Sequence, residues 1–123
     1  MLYLGSALLV LIGLVHSYLG EKYILIRLFR RDNLPKLFGS DWFTKRVLRF
    51  GWHITTIAWW GFAGILFVLA SPDSETIKEI LLVVASVFFV SGLISGGFSR
   101  GKHLSWVVFW SIAGLSLYAA VSR

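Results

Sequence analysis

Four stretches of this chain carry no charged residue: Met1–Gly20, Phe50–Pro72, Ile80–Ser99 and His103–Ser122. Each is about 20 residues long, enough to cross a hydrocarbon layer of roughly 30 Å as a helix. In a chain of 123 residues they leave almost nothing for a water-soluble core. Apolar residues make up 57% and charged residues 15%, against about 25% charged in soluble domains. The pattern predicts an all-α, polytopic membrane protein, a single domain of four transmembrane helices in a compact bundle. The spans fall at about 2–20, 50–71, 79–97 and 103–121, with a basic interfacial segment over 21–49. The first run has no basic segment before it and no small-residue cleavage site, so it is expected to stay as a helix. Without cysteine, thiolate ligands and thiol chemistry are excluded.

Charge sets an expected orientation. Lys22, Arg27, Arg30, Arg31, Lys36, Lys45, Arg46 and Arg49 lie between the first two runs, and Arg100 and Lys102 between the last two. The connection SPDSETIKE between them is acidic. Ten of the twelve Lys and Arg thus fall on one side, which the positive-inside rule makes cytoplasmic, with both termini outside. The net charge of +6 is a topology signal plus an attraction to anionic lipid, for which Arg27, Arg30, Arg31, Lys45, Arg46 and Arg49 are the headgroup candidates. No groove-reading or base-stacking motif accompanies it, so nucleic acid is not an expected partner. EKYILIRLFRR has helical spacing and either lies at the interface or extends the first helix. DNLPKLFGSD breaks it, and Ser40 or Asp41 can cap a helix that runs on into the second span. Ser71 or Ser74 is the expected cap of the third helix, with Pro72 in its first turn.

HITTIAWWGFAGIL, from His53 to Leu66, and HLSWVVFWSIAGLS, from His103 to Ser116, read as variations on one line at a constant offset of fifty. Each has His, then Trp60 or Trp110 seven residues on, then Ala-Gly on the same face. A tandem repeat of a two-helix hairpin explains this, with the axis along the membrane normal. The first and third spans align only as generic apolar helix, through ALLVLIGLV and ILLVVASVF. Gly5, Ser6, Gly13, His16, Ser17 and Gly20 share about a third of the first helix's circumference, so this stripe is expected to face protein. Gly92 and Gly96 form a small-xxx-small pair that would let two backbones approach.

His16, His53 and His103, all the histidines present, map to the cytoplasmic third of three helices, and Glu21 adjoins them. Ionisable groups in membrane helices are costly and point to function. Three imidazoles and a carboxylate suit a transition metal ion such as zinc, iron or copper; two facing imidazoles suit haem b; and histidine can pass protons. No HExxH or similar spacing is present, so the expectation rests on depth alone. Two narrower outcomes follow from it. Either all four groups share a site, or only His16, Glu21 and His53 meet and His103 is an interfacial anchor.

HSYLGEKYIL, LPKLFG and RFGWHITTIAWW resemble small bacterial inner-membrane proteins that share HSxLGE and RFxWH stretches. The resemblance covers about the first half of the chain and implies a four-helix protein of the bacterial inner (plasma) membrane, with no activity attached. The chain does not resemble the small multidrug exporters or the small fluoride channels. Three functions are therefore carried forward. One is a metal- or haem-binding module at His16, Glu21, His53 and His103. Another is an oligomeric ion or proton pathway lined by the same histidines and constricted by Trp60 and Trp110. The last is an accessory subunit, in a homo-oligomer or larger membrane complex, packed through Gly13 and Ser17. No nucleophile–base pair or paired carboxylates are legible within the spans, which weighs against an enzyme.

Overall fold

A computed structural model describes residues 1–123. It is all-helical: α1 (Leu2–Leu28), α2 (Trp42–Leu69), α3 (Thr76–Phe98) and α4 (Ser105–Val121), with no strands. The first three are long and apolar enough to cross a membrane; α4 has 17 residues. Only 15 of 123 residues are buried, while leucine, valine and phenylalanine side chains lie exposed along every helix. So large an apolar exterior belongs in lipid, not water.

The helices pack in chain order. α1 lies on α2, α2 on α3 and α3 on α4, and no other pair of these helices touches. The contacts are those of an open row, where the sequence led to the expectation of a compact four-helix bundle. The reason lies in the width of the sticky faces. α1 buries only Ser6, Gly13 and Gly20 along its first 20 residues, one narrow seam at every seventh position. A seam that narrow can serve one neighbour, and the rest of the helix faces outward.

The seven-residue spacing is that of a left-handed supercoil. Facing this seam, α2 presents Arg49, His53, Thr56, Trp60 and Ala63, spaced alternately four and three. Ser6 donates to the carbonyl of Ala63 at 2.8 Å, and Trp60 lies on Gly13. In the second hairpin, α3 buries Ala85, Ser91, Gly92 and Ser95, with Ser99 buried just past its end, a broader small-residue face than that of α1, and Trp110 of α4 lies on Gly92. Between the hairpins, Gly61 and Gly64 of α2 receive Val87 and Val83 of α3. Gly92 and Gly96 take the indoles of Trp110 and Trp106, not a neighbouring backbone.

The extension of α1 and the start of α2 fall among the expected alternatives, while the start of α3 moves. α1 runs eight residues past Gly20 and crosses a π-wound turn at Gly20–Leu25, where Ile26 N–H donates to the carbonyl of Glu21. α2 begins at Trp42, whose N–H donates to Ser40 Oγ at 3.3 Å, while Asp41 takes Lys45 as an ion pair at 3.1 Å. α3 starts at Thr76, later than a Ser71 or Ser74 cap would give. Asp73 and Thr76 close that turn through mutual hydrogen bonds of 2.7 and 2.9 Å. Ser71 instead hydrogen-bonds Tyr3 Oη at 3.0 Å, which ties the start of α1 to the α2–α3 connection. At the opposite end of the row, Trp42 and Phe43 meet Arg100 and His103 of the α3–α4 connection. The basic residues between the first and second, and between the third and fourth, uncharged runs belong to this end of the row.

Candidate functional site

The basic end of the first hairpin holds a continuous polar cluster. Glu21, carried on the π-wound turn, is held from two sides. Its carboxylate accepts from Arg49 Nε at 2.9 and 3.3 Å and from His53 Nε2 at 3.1 Å. His53 Nδ1 lies 2.9 Å from Ser17 Oγ, and Ser17 Oγ lies 2.5 Å from Thr56 Oγ1. Thr56, only 3% exposed, lies 3.3 Å from the carbonyl of Gly13. π-Bulges are frequent at functional sites, and this one carries the only carboxylate in the cluster.

Hydrogen-bond chemistry restricts how the protons are arranged. An ionised carboxylate only accepts, so His53 Nε2 carries a proton while Glu21 is ionised, whereas a protonated Glu21 can donate to Nε2 in the same contact. Nδ1 touches nothing but a hydroxyl, which can either donate or accept. With His53 neutral, Ser17 donates to Nδ1 and Thr56 donates to Ser17. With His53 charged, Nδ1 donates to Ser17, Ser17 to Thr56, and Thr56 to the Gly13 carbonyl. Both directions satisfy every hydroxyl, so protonation at His53 reverses the whole chain without moving a heavy atom.

His16 occupies the adjacent position but a different environment. Its ring stacks on Trp52 at 4.5 Å and 3°, and its Nε2 lies 3.3 Å from the Trp52 carbonyl. A carbonyl only accepts, so Nε2 is the donor and the neutral ring keeps its Nδ1 lone pair free. Trp52 returns a hydrogen bond from Nε1 to the His16 carbonyl at 3.0 Å. With Trp59 and Tyr23, His16 lines an open, mostly apolar groove of about 390 Å³.

His103 is elsewhere. It precedes α4 instead of opening it, so the α3–α4 connection, not a helix face, sets its direction. Its ring packs on Phe43 at 6.0 Å and Phe50 at 5.3 Å. Its Nδ1 accepts from Ser105 N–H at 3.3 Å, and from the Ser105 hydroxyl at 2.8 Å. Ser105 in turn pairs with Ser95 Oγ, while Ser99 accepts from His103 N–H at 3.2 Å and donates to the Ser95 carbonyl at 2.6 Å. No three of the chain's His, Asp and Glu side chains converge as a ligand set.

Trp60 and Trp110 do not face each other, since α2 and α4 share no contact. Each lies on a glycine of its own hairpin. The Trp60 N–H donates to the Val10 carbonyl at 3.3 Å, and that of Trp110 to the Phe89 carbonyl at 3.2 Å. In both cases the accepting carbonyl stands three residues before the glycine under the ring. Without a Cβ in the way, the indole can lie flat on the backbone and satisfy its one donor there. In lipid no water would do so.

Of the expected residues, Ser17, Glu21 and His53 meet. Gly13 and His16 flank them, Arg49 pairs with Glu21 instead of facing a headgroup, and His103 stays apart. Thr56 and Trp52 were not expected. Thr56 was readable from the four-three spacing His53–Thr56–Trp60, which continues the seam. Trp52 had no sequence signal beyond being aromatic near a span end. The fold thus defines a class, an all-helical chain with three helices fit to span a membrane and a polar cluster within one hairpin. No family model, curated protein or solved structure matches the chain.

Proposed function

We propose that this protein is a proton-handling membrane subunit, whose relay runs from Glu21 through His53 and Ser17 to Thr56. The observation that carries the reading is the reversible hydrogen-bond chain. An imidazole can hold a proton on either ring nitrogen or on both, which suits proton exchange. Arg49 offsets the charge of Glu21, so the cluster changes between net zero and +1 as His53 takes and releases its proton. Thr56 lies about one turn deeper than His53, so a proton bound near the membrane surface alters a buried group on the seam between α1 and α2. The HSxLGE and RFxWH stretches that carry the bacterial resemblance supply nearly all the side chains in the cluster. By the positive-inside rule the basic end faces the cytoplasm of a bacterial inner membrane, with both termini outside. The two hairpins are read as tandem copies. Gly13 and Gly92, Ser6 and Ala85, and Gly20 and Ser99 are each 79 positions apart, and support comes from Trp60 on Gly13 and Trp110 on Gly92.

The test is proton flux into liposomes containing the purified chain, read with an enclosed pH-sensitive dye. Wild type should collapse an imposed pH gradient faster than His53→Gln, and Thr56→Val should fall between them. Equal rates for wild type and His53→Gln would remove the relay as a conducting element.

A transition-metal site, zinc, iron or copper, is the second reading, supported by the adjacency of Glu21 and His53 and by the free Nδ1 of His16. Zinc sites use three or four protein ligands, so a homo-oligomer would have to complete the set. Haem b would need two facing imidazoles, and both rings here already have partners. Stoichiometric metal in protein purified without chelators, lost in Glu21→Gln, selects this reading over the relay.

A further inference from the structure

Trp42, the first residue of α2, is surrounded by three cations from two different parts of the chain. The Arg46 and Arg100 guanidinium carbons lie 5.4 and 5.3 Å from its ring centroid, and Lys102 Nζ lies 5.0 Å from it. Lys102 also sits 5.9 Å from the Phe38 ring. Any two of the three charges are therefore separated by no more than about twice the distance to the ring. None of them takes part in the chain's ion pairs, which are Asp41–Lys45, Glu21–Arg49, Glu21–His53 and Glu75–Lys78. Cation–π attraction offsets some of the mutual repulsion, and Asp41, next to Trp42, pairs with Lys45 and not with any of the three. The positive end of the 28-residue helix α2 adds to the same field.

The backbone holds this arrangement against its own preference. Phe38 and Arg100 are the only non-glycine residues with positive φ, at 57° and 51°, and both side chains belong to the cluster. Arg100 stands where α3 ends. Gly101 N–H donates to the Gly96 carbonyl at 2.8 Å and Arg100 N–H to the Gly97 carbonyl at 3.3 Å. That is the Schellman turn, whose left-handed position usually belongs to glycine. Here an arginine fills it, and the turn aims its side chain across the hairpin boundary at Trp42. Backbone strain of this sort persists where the surroundings over-determine it.

We infer that Arg46, Arg100 and Lys102, gathered on Trp42, form a binding site for the phosphate of an anionic phospholipid headgroup. The site lies at the basic end of the helix row, where acyl chains can follow the exposed apolar faces of α2 and α4 while the phosphate sits among the cations. Basic pockets between transmembrane helices take lipid headgroups in this way. The site is separate from the Glu21–His53 cluster and does not depend on its chemistry.

The test is native mass spectrometry of the full chain in detergent, with added phosphatidylglycerol or phosphatidylcholine. Wild type should retain one phosphatidylglycerol in preference to phosphatidylcholine. Each cation removed should weaken that retention about fivefold, and Arg46→Gln, Arg100→Gln and Lys102→Gln together on the order of a hundredfold. A charge-matched triple outside the cluster, Lys22→Gln, Lys36→Gln and Lys78→Gln, should leave it within about twofold of wild type. Arg100→Gly separates binding from folding, because it relieves the positive φ. Its melting temperature should hold or rise while lipid retention falls about fivefold. Equal losses in the two triples, or wild-type retention in Arg100→Gly, would overturn the site. Displacement of the lipid by millimolar inorganic phosphate would overturn the lipid as its source.

Discussion

The two hairpins bury the same kind of seam and end in different chemistry. In each, an indole lies on a glycine and donates to a carbonyl three residues earlier, Trp60 on Gly13 and Trp110 on Gly92. In each, small residues line the buried face of the first helix. At the basic end the likeness stops. His53 joins two helices through an acid and two hydroxyls. His103 instead folds back on its own connection, with Nδ1 anchored by a peptide N–H that can only donate. That anchor fixes one direction: Ser95 donates to Ser105, and Ser105 to His103. The first network can run both ways; the second cannot without losing the start of α4. A histidine seven residues before a Trp thus joins two helices through hydrogen bonds in the first hairpin and accepts from the start of α4 in the second.

The sharpest way to break the shared part of this comparison is to fill the glycines. Gly13→Leu would drive a side chain into Trp60, and Gly92→Leu one into Trp110. Each should destabilise the chain by about 3 kcal/mol, at the upper end of overpacking costs. Leu11→Ala, at a position 58% exposed, should cost under about 1 kcal/mol because lipid fills the space. Thermal unfolding in detergent measures all three. A large loss in only one of the glycine variants would show that the hairpins are not packed alike.

Removing the imidazoles tests where they differ. His53→Ala takes a partner from Glu21 and from Ser17, and should cost about 2 kcal/mol as the loss of a hydrogen bond to a charged group. His103→Ala loses a cap and should cost about 1 kcal/mol. Equal losses would mean that the charged contact adds nothing to stability. An effect close to that of His103→Ala is expected for Trp60→Phe and Trp110→Phe. Each deletes one indole donor and should cost about 1 kcal/mol, alike in both hairpins.

Much of this was legible in the sequence, and the missing part has a physical pattern. The uncharged runs located the helices, and the small stripe Ser6–Gly13–Gly20 did turn toward protein. The aliphatic runs of α1 and α3 say nothing about packing, because their leucines face outward and carry no contact information. The small residues under the indoles carry it. The pairing of Arg49 with Glu21 was hidden by distance in sequence, 28 positions, and by the π-wound turn that redirects Glu21. Helical periodicity read through residue 20 at 100° per step cannot foresee that turn. His103 went astray for a simpler reason. Equal spacing to the next Trp says nothing about whether the helix has already begun, and α4 begins two residues later.

Nitrogen-15 NMR of the chain with labelled histidine imidazoles, in lipid nanodiscs, tests the central claim directly. At high pH, where the imidazoles are neutral, His53 should carry its proton on Nε2 with Nδ1 accepting from Ser17. On acidification Nδ1 should gain a proton while Nε2 keeps its own. Thr56→Val should shift the Nδ1 resonance, since Ser17 loses the hydroxyl partner behind it. His103 should show an unprotonated Nδ1 in the same neutral state and no response to Thr56→Val. A neutral His53 protonated on Nδ1, or a His53 signal indifferent to Thr56→Val, would contradict a reversible chain through Ser17.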